Sequence, residues 1–322
     1  MRGPLQPRLE FFCRLWLWLL VLSAFSTAWK GFAAGTNQDS VYLFTSFHDA
    51  DQKYLRFLYS YDGYHWTNVP GTFLEAHVGP TNQFRDPSLS RGPDGVFHLV
   101  WTAGWHGDLG FGCASSPDLI HWSDQQFVPV MTNEPTTVNV WAPEIFYDAP
   151  NQQFIITWAS TIPGRFPDYQ EKHNNNHRLF FTTTHDFKSF SPEKLFFDPG
   201  FSAIDPFILK DGDRYVLVFK DNSRPGLNVR VAFGDSPIGP WRDVSPPLTE
   251  KFTEGPCALK VGDDWLIYFD AYREKIYGAL KTRDFKTFTN ITAQVSFPEG
   301  HKHGTAVRVP RQILEGLLNA NQ

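Results

Sequence analysis

The chain has 322 residues and a formal net charge of −5; 42% are hydrophobic, 16% aromatic, and glycine and proline number 24 each. That length suits one large domain or two ordinary ones with a substantial core, and the glycine and proline content suits many short strands and turns better than long helices. A mildly acidic chain without basic blocks excludes nucleic acid and anionic membranes as partners.

At the start of the chain, Arg2, Arg8 and Arg14 precede an apolar run from Leu15 to Phe25, and Ser26-Thr27-Ala28 and Gly31-Phe32-Ala33 offer small residues for cleavage. This predicts a secretory signal peptide over residues 1–34, because the apolar run is too short for a membrane span and is followed by a processing site. The expected product is secreted or periplasmic, makes no membrane contact after cleavage, and consists of one domain over residues 35–322. Removal of residues 1–33 takes away Arg2, Arg8, Arg14, Lys30 and Glu10 and moves the charge from −5 to −8. Cys13 goes with the leader. Cys113 and Cys257 lie in strand-like runs far apart and read as buried thiols rather than a disulfide.

Beyond the leader no stretch shows a sustained helical period, and two elements recur instead. The first is an aromatic turn: Ser60-Tyr61-Asp62-Gly63-Tyr64-His65-Trp66, Ser116-Pro117-Asp118-Leu119-Ile120-His121-Trp122, Thr184-His185-Asp186-Phe187-Lys188-Ser189-Phe190, Asp235-Ser236-Pro237-Ile238-Gly239-Pro240-Trp241 and Thr282-Arg283-Asp284-Phe285-Lys286-Thr287-Phe288. The second is a polar residue opening an apolar strand, in Arg85-Asp86-Pro87, Trp141-Ala142-Pro143-Glu144, Ile204-Asp205-Pro206, Glu254-Gly255-Pro256 and His303-Gly304-Thr305. Its four acids lie 58, 61 and 49 residues apart. Hairpin signals such as Pro93-Asp94-Gly95 and Asp211-Gly212-Asp213 separate the two elements. The pattern predicts four strands per repeat and an all-β, five-bladed β-propeller. Val41–Phe47 resembles the second strand of a blade, so the missing inner strand is expected from His303–Val309, closing the ring at the first blade and covering its edges.

Residues that begin the inner strands of a propeller face one central funnel. Asp86, Asp205 and Glu254 should converge there, with Glu144 beside them. Crowded like charges raise the proton affinity of at least one member, leaving a neutral donor beside an ionised acceptor. Cleavage of a glycosidic bond needs that pairing: an acid for the leaving oxygen and a base for the attacking water.

These segments, in this order and one per repeat, resemble those of glycoside hydrolase family 43, five-bladed propeller enzymes that attack terminal arabinofuranosyl and xylosyl groups. The resemblance spans about residues 40 to 310. It implies Asp86 as general base, Glu254 as general acid and Asp205 as the carboxylate that orients the acid and adjusts its proton affinity, with inversion of configuration. Trp141-Ala142-Pro143-Glu144 resembles a segment that family members carry between the base and the second aspartate, and Glu144 is expected to contact substrate or support the site. Arg85, Phe84, Trp105, Trp141 and Tyr272 are the other candidate substrate contacts. The resemblance also places at His303 a histidine that can hold a calcium ion in the central channel; the bland reading is a histidine that packs the funnel. The polar stretch 172–177 reads as a solvated loop that could meet substrate hydroxyls. The expected function is an exported, exo-acting glycosidase on oligosaccharide or polysaccharide, needing no cofactor for the chemistry. An α-L-arabinofuranosidase stands first, a β-xylosidase or exo-galactanase of the same fold second, and a carbohydrate-binding propeller without catalysis third. The invertase-like propellers carry an additional Asn-Asp-Pro segment in the first blade; near Val41–Tyr54 only Asp49 could serve for it.

Overall fold

The computed structural model describes residues 39–166, 171 and 175–320. The expected leader and residues 172–174 of the polar stretch lie outside the described residues. The first blade contains β1 (Ser40–Ser46), β2 (Tyr54–Ser60), β3 (Thr67–Asn68) and β4 (Leu74–Glu75). The second contains β5 (Arg85–Arg91), β6 (Phe97–Thr102), β7 (Gly110–Ser116) and β8 (Gln126–Pro129). The third contains β9 (Trp141–Asp148), β10 (Gln153–Ser160), β11 (Arg178–Thr184) and β12 (Lys194–Phe197). The fourth contains β13 (Ala203–Asp211), β14 (Arg214–Asp221) and β15 (Asn228–Gly234), and the fifth β16 (Thr253–Val261), β17 (Asp264–Ala271), β18 (Ile276–Thr282) and β19 (Thr289–Asn290). The chain ends with β20 (Ala306–Pro310) and α1 (Arg311–Asn319).

Five antiparallel sheets thus make a five-bladed propeller, and β20 closes it by pairing antiparallel with β1, from Ser40 opposite Pro310 to Phe44 opposite Ala306. The closing strand starts three residues later than the sequence predicts, which leaves His303 in an irregular segment ahead of it. Two expectations need correction. The fourth blade has three strands rather than four; a single bridge between Phe233 and Arg242 stands where its outer strand would be. A helix, α1, is present: Leu314 and Leu317 are buried, with Ile313 and Leu318 packed beside them, against the core shared by blades one and two. Two turns of helix are too short for their period to stand out from a strand-rich background.

Apolar clusters fill the spaces between adjacent blades. Phe44 of β1 meets Trp66, Tyr277 and Phe297 edge-on, each at 5.5 Å, across the seam between blades one and five, an arrangement that suits the quadrupoles of aromatic rings. Cys113 and Cys257 are free and buried, and burial pushes the Cys113 thiol up to about 12. The aromatic turns share one local mechanism. Asp62 accepts from the amides of Tyr64 and His65 at 2.7 and 2.8 Å, Asp118 from Ile120 and His121, Asp186 from Lys188 and Ser189, and Asp284 from Lys286 and Thr287. An aspartate that caps its own turn makes such a repeat legible in sequence. Asp235 departs from it and pairs with Arg242.

Candidate active site

A proline sits near the start of the inner strand in blades two to five, at Pro87, Pro143, Pro206 and Pro256. The residue before each is held at positive φ: Asp86 at 50°, Ala142 at 47°, Asp205 at 53° and Gly255 at 55°. Pairing with the second strand breaks register at the same place, between Arg85 and Ser88, Ile204 and Phe207, and Glu254 and Cys257, with a matching shift between Thr157 and Ala159 in blade three. Each is a bulge, which bends the strand and re-aims a side chain. A proline disfavours the helical regions for the residue before it, so three non-glycine residues carry a local cost that the surrounding ring must offset.

Aligned on these bulges, the acids do not occupy one repeated position. Asp86 and Asp205 are equivalent, whereas Glu254 precedes its bulge residue and Glu144 follows the proline. The scaffold repeats at the blade period, and the acids reach the funnel from three different registers. The second strands add their own series. Opposite Arg85, Trp141, Ile204 and Glu254 stand Thr102, Ala159, Lys220 and Asp270.

These partners tie the site together. Thr102 Oγ1 donates to Asp86 Oδ2 at 2.7 Å and accepts from the Ala142 amide at 2.8 Å, joining blades two and three. Asp86 Oδ1 forms an ion pair with His303 Nε2. The Gly255 amide donates to Asp205 Oδ2 at 2.9 Å, joining blades four and five. Lys220 Nζ donates to Glu254 Oε2 at 2.9 Å. The bulge glycine is required here, since a Cβ on Gly255 would lie 2.0 Å from His303 Cβ. A cavity of about 20 Å³ lies among Asp86, Glu144, Asp205, Gly255 and His303, which is room for a single water.

Electrostatics separate the four acids. Burial alone would raise Asp86, but His303, Arg85 and the Thr102 hydroxyl together hold its carboxyl at about 2. His303 is held at about 9: burial opposes its charge, and Asp86, Asp205 and Glu254 more than compensate. Burial raises Asp205, with Glu254 adding to the effect against His303 and Lys220. Glu254 is lowered despite burial, chiefly by Lys220 and then His303. Burial pushes Glu144 up to about 8, only partly offset by Ser88, Thr305 and His303. The site therefore holds ionised Asp86 and Glu254 beside two carboxyls, Asp205 and Glu144, that retain protons more readily.

A calcium ion at His303 does not fit this chemistry. The imidazole is cationic and its Nε2 is committed to Asp86, whereas calcium takes several oxygen ligands. Among the described residues no group of three His, Cys, Asp or Glu side chains is placed to hold a metal.

The candidate substrate contacts divide. Trp105 is 43% exposed, and the Arg85 guanidinium lies 4.3 Å from the centre of its ring. Trp141 crosses it edge-on, donates from Nε1 to the Trp105 carbonyl at 2.8 Å, and stacks on His177. Arg85 Nη1 reaches Asp49 at 3.1 Å. Tyr272 is half-buried, with Lys220 Nζ 5.1 Å from its ring centre. Phe84 is corrected: it is fully buried against Trp101 and belongs to the core. Asn175, Asn176 and His177 are likewise buried rather than solvated; His177 Nδ1 is 2.7 Å from Glu171. Sequence reasoning missed Lys220, Asp270, Thr102 and Lys302, the last bonded to Asp270 at 2.9 Å. A signal was present for the first two, since each is a charge near the end of an otherwise apolar strand, in Tyr215-Val216-Leu217-Val218-Phe219-Lys220 and Leu266-Ile267-Tyr268-Phe269-Asp270.

Comparison with known proteins agrees with this architecture. A family described as a probable glycosyl hydrolase domain, related to family 43, matches residues 38–315. No curated protein matches the chain. Among solved structures, a thermostable family-43 glycoside hydrolase superposes with a TM-score of 0.52 at 15% identity, covering 68% of this chain and 78% of its own. An α-L-arabinofuranosidase from Lactobacillus brevis gives 0.50 at 14% identity, over 64% of this chain and 72% of its own. A GH43_1 enzyme from Xanthomonas citri complexed with xylotriose gives 0.50 at 15% identity, over 64% and 71%. With a family match over nearly the whole described chain and the same five-bladed fold, this protein belongs to the family 43-related glycosyl hydrolases.

Proposed function

We propose that the protein is an exported, exo-acting glycoside hydrolase that removes terminal α-L-arabinofuranosyl groups from plant-type polysaccharide by single displacement with inversion. The observation that carries the hydrolase reading is the division of charge around one funnel. Asp86 is held ionised by His303 and Thr102, while Asp205, beside the Glu254 segment, is raised.

In this mechanism Asp86 takes a proton from a water on one face of the anomeric carbon. Glu254 gives a proton to the departing glycosidic oxygen on the other face. Such a pair works with its carboxyls roughly 6.5–9.5 Å apart, which leaves room for the water. Lys220 and His303 lower the proton affinity of Glu254, and burial raises that of Asp205, so Asp205 takes up a proton more readily than Glu254 does. A sugar seated on Glu254 removes water from it and raises its proton affinity, shifting the proton within the coupled pair. Asp205 therefore serves as the positioning residue that, through the Gly255 amide, orients Glu254 and adjusts its proton affinity. Trp105 and Trp141 offer ring faces to sugar C–H groups, and Arg85 and Glu144 offer polar contacts. The neighbours include an α-L-arabinofuranosidase and an enzyme complexed with xylotriose, so the sugar is the part of this reading most in need of a direct test.

The test is hydrolysis of p-nitrophenyl α-L-arabinofuranoside, β-D-xylopyranoside and β-D-galactopyranoside, with the anomeric form of the released sugar followed by proton NMR. Release of arabinose with inverted configuration, lost in Asp86→Asn, is expected. Xylose or galactose alone would reassign the substrate, retention would remove the mechanism, and silence with tight sugar binding would leave a binding propeller.

A further inference from the structure

We propose that a groove along the seam between blade five and the closed first blade holds the leaving-group side of the substrate, the polysaccharide chain beyond the bond that is cut. The proposal rests on the hydrolase reading above and adds where the chain lies.

The groove has a volume of about 880 Å³, and Asp49, Asp270, Tyr272, Ile276 and Lys302 are among the residues that line it. That lies toward the upper end of the roughly 300–1,000 Å³ range of ligand pockets and accommodates more than one sugar ring. Its inner end reaches Asp270, the cross-strand neighbour of the proposed proton donor. Asp270 pairs directly with Glu254 across β16 and β17. Tyr272 is linked to Glu254 through Lys220, whose Nζ is 5.1 Å from the tyrosine ring centre and 2.9 Å from Glu254 Oε2. In an inverting displacement the attacking water lies on the side of the base and the leaving oxygen on the side of the acid. Whatever is attached to that oxygen must continue past Glu254, and the groove begins at the adjoining Asp270.

The opposite flank lacks this geometry. A second hollow of about 410 Å³ is lined by Gln83 and Trp105 but by neither Asp270 nor Tyr272, and its Trp105 ring lies against Arg85, the residue before Asp86. The lining of the seam groove suits a sugar chain. Lys302 and Asp49, 3.6 Å apart, supply charged hydrogen-bonding groups; Ile276, 50% exposed, and the Tyr272 ring supply apolar faces.

The experiment compares wild type, Ile276→Ala and the groove-filling Ile276→Trp. Each is assayed on arabino-oligosaccharides of increasing length and on the aryl glycoside of the same sugar, whose leaving group is too short to fill the groove. In the wild type kcat/KM is expected to rise with chain length. In Ile276→Trp the ratio of oligosaccharide to aryl-glycoside kcat/KM is expected to fall at least tenfold, with a smaller fall in Ile276→Ala. A ratio unchanged within twofold in both variants overturns the proposal. Asp86→Asn separates the two readings, since it lowers turnover of both substrates alike, whatever the groove does. Should the wild type hydrolyse nothing, the hydrolase reading fails on its own. Calorimetric titration with the same oligosaccharides then decides the groove: binding weakened tenfold in Ile276→Trp retains it, and binding that is absent or unaffected removes it.

Discussion

The two flanks of the funnel solve the same electrostatic problem with different cations. On the flank of blade two, Asp86 is matched by His303, an imidazole held at about 9 by the acids around it. On the flank of blades four and five, Glu254 is matched by Lys220, a buried ammonium raised still further by Glu254 and Asp205 although burial opposes it. A histidine partner can lose its proton within an accessible pH range, whereas a lysine raised above its ordinary value does not. The first flank is therefore a fixed anion with a titratable supporter. The second is a pair of carboxyls shifted in opposite directions, Asp205 up and Glu254 down, beside a permanent positive charge.

The largest effect should come from removing the proposed base. Asp86→Asn is expected to lower kcat by about 10²–10⁴, the usual worth of a positioned acid or base. Glu254→Gln should match it on poor leaving groups while sparing aryl glycosides that depart unaided. Equal losses on both substrate types would break the assignment of the acid to the second flank.

Next is the supporter of the first flank. His303→Ala leaves Asp86 buried without its counter-charge, and removal of one partner of a buried pair costs about 3–5 kcal/mol. Chemical denaturation should register that loss, and a cost below about 1 kcal/mol, the scale of an exposed pair, would contradict the buried pairing described here.

Lys220→Met sharpens the contrast through pH rather than stability. Without the ammonium, Glu254 gains proton affinity, and the alkaline limb of the kcat/KM profile should move up by about one unit or more, the scale of losing an adjacent opposite charge. An unmoved limb would mean that the group titrating there is not Glu254.

The smallest effect is the dependence of Tm on pH. His303 binds its proton more tightly folded, at about 9, than unfolded, at about 6.5. Its contribution is whole below about pH 6.5 and gone above about 9. Asp86, depressed to about 2, contributes fully above about pH 4 and loses this only in strong acid. Glu144, raised to about 8, favours the folded state at low pH and loses that advantage between about 4.5 and 8. Tm should thus decline from about pH 5 to about 9 in the wild type. In Glu144→Gln the part of the decline that begins below about 6.5 should be weakened. A Tm that climbs with pH over this range would reverse the sign of both groups.

Much of the architecture was legible because the turns and prolines that punctuate it are local. An aspartate capping its own turn and a proline after each bulge are written in adjacent residues, and they recur at the blade period. The closing strand was legible for a similar reason, since the first blade visibly lacks an inner strand. The site was legible as a set of acids but not as a circuit. Thr102, Lys220 and Asp270 sit on second strands, and each acts on a carboxylate in a neighbouring strand or blade, so no local motif joins them. Phe84 shows the converse. Its place beside Arg85 suggested a sugar platform, yet neighbours in a strand point to opposite faces, and Phe84 turns into the core while Arg85 turns to Trp105. The departure of Asp235 from the common turn accompanies the one blade that lacks a fourth strand.

The pairing of β20 with β1 has a consequence for biosynthesis. Among the described strands β1 precedes the other blades and its partner β20 follows them, so this pair forms only after the intervening blades have been made, and His303 arrives just ahead of β20. Until then Asp86 has no imidazolium to hold its charge, and the ring has no closure. The proposed site is thus completed after all its acids have been made, so a polypeptide that retains Asp86, Asp205 and Glu254 but lacks the stretch from His303 through β20 is expected to carry these acids and yet be inactive.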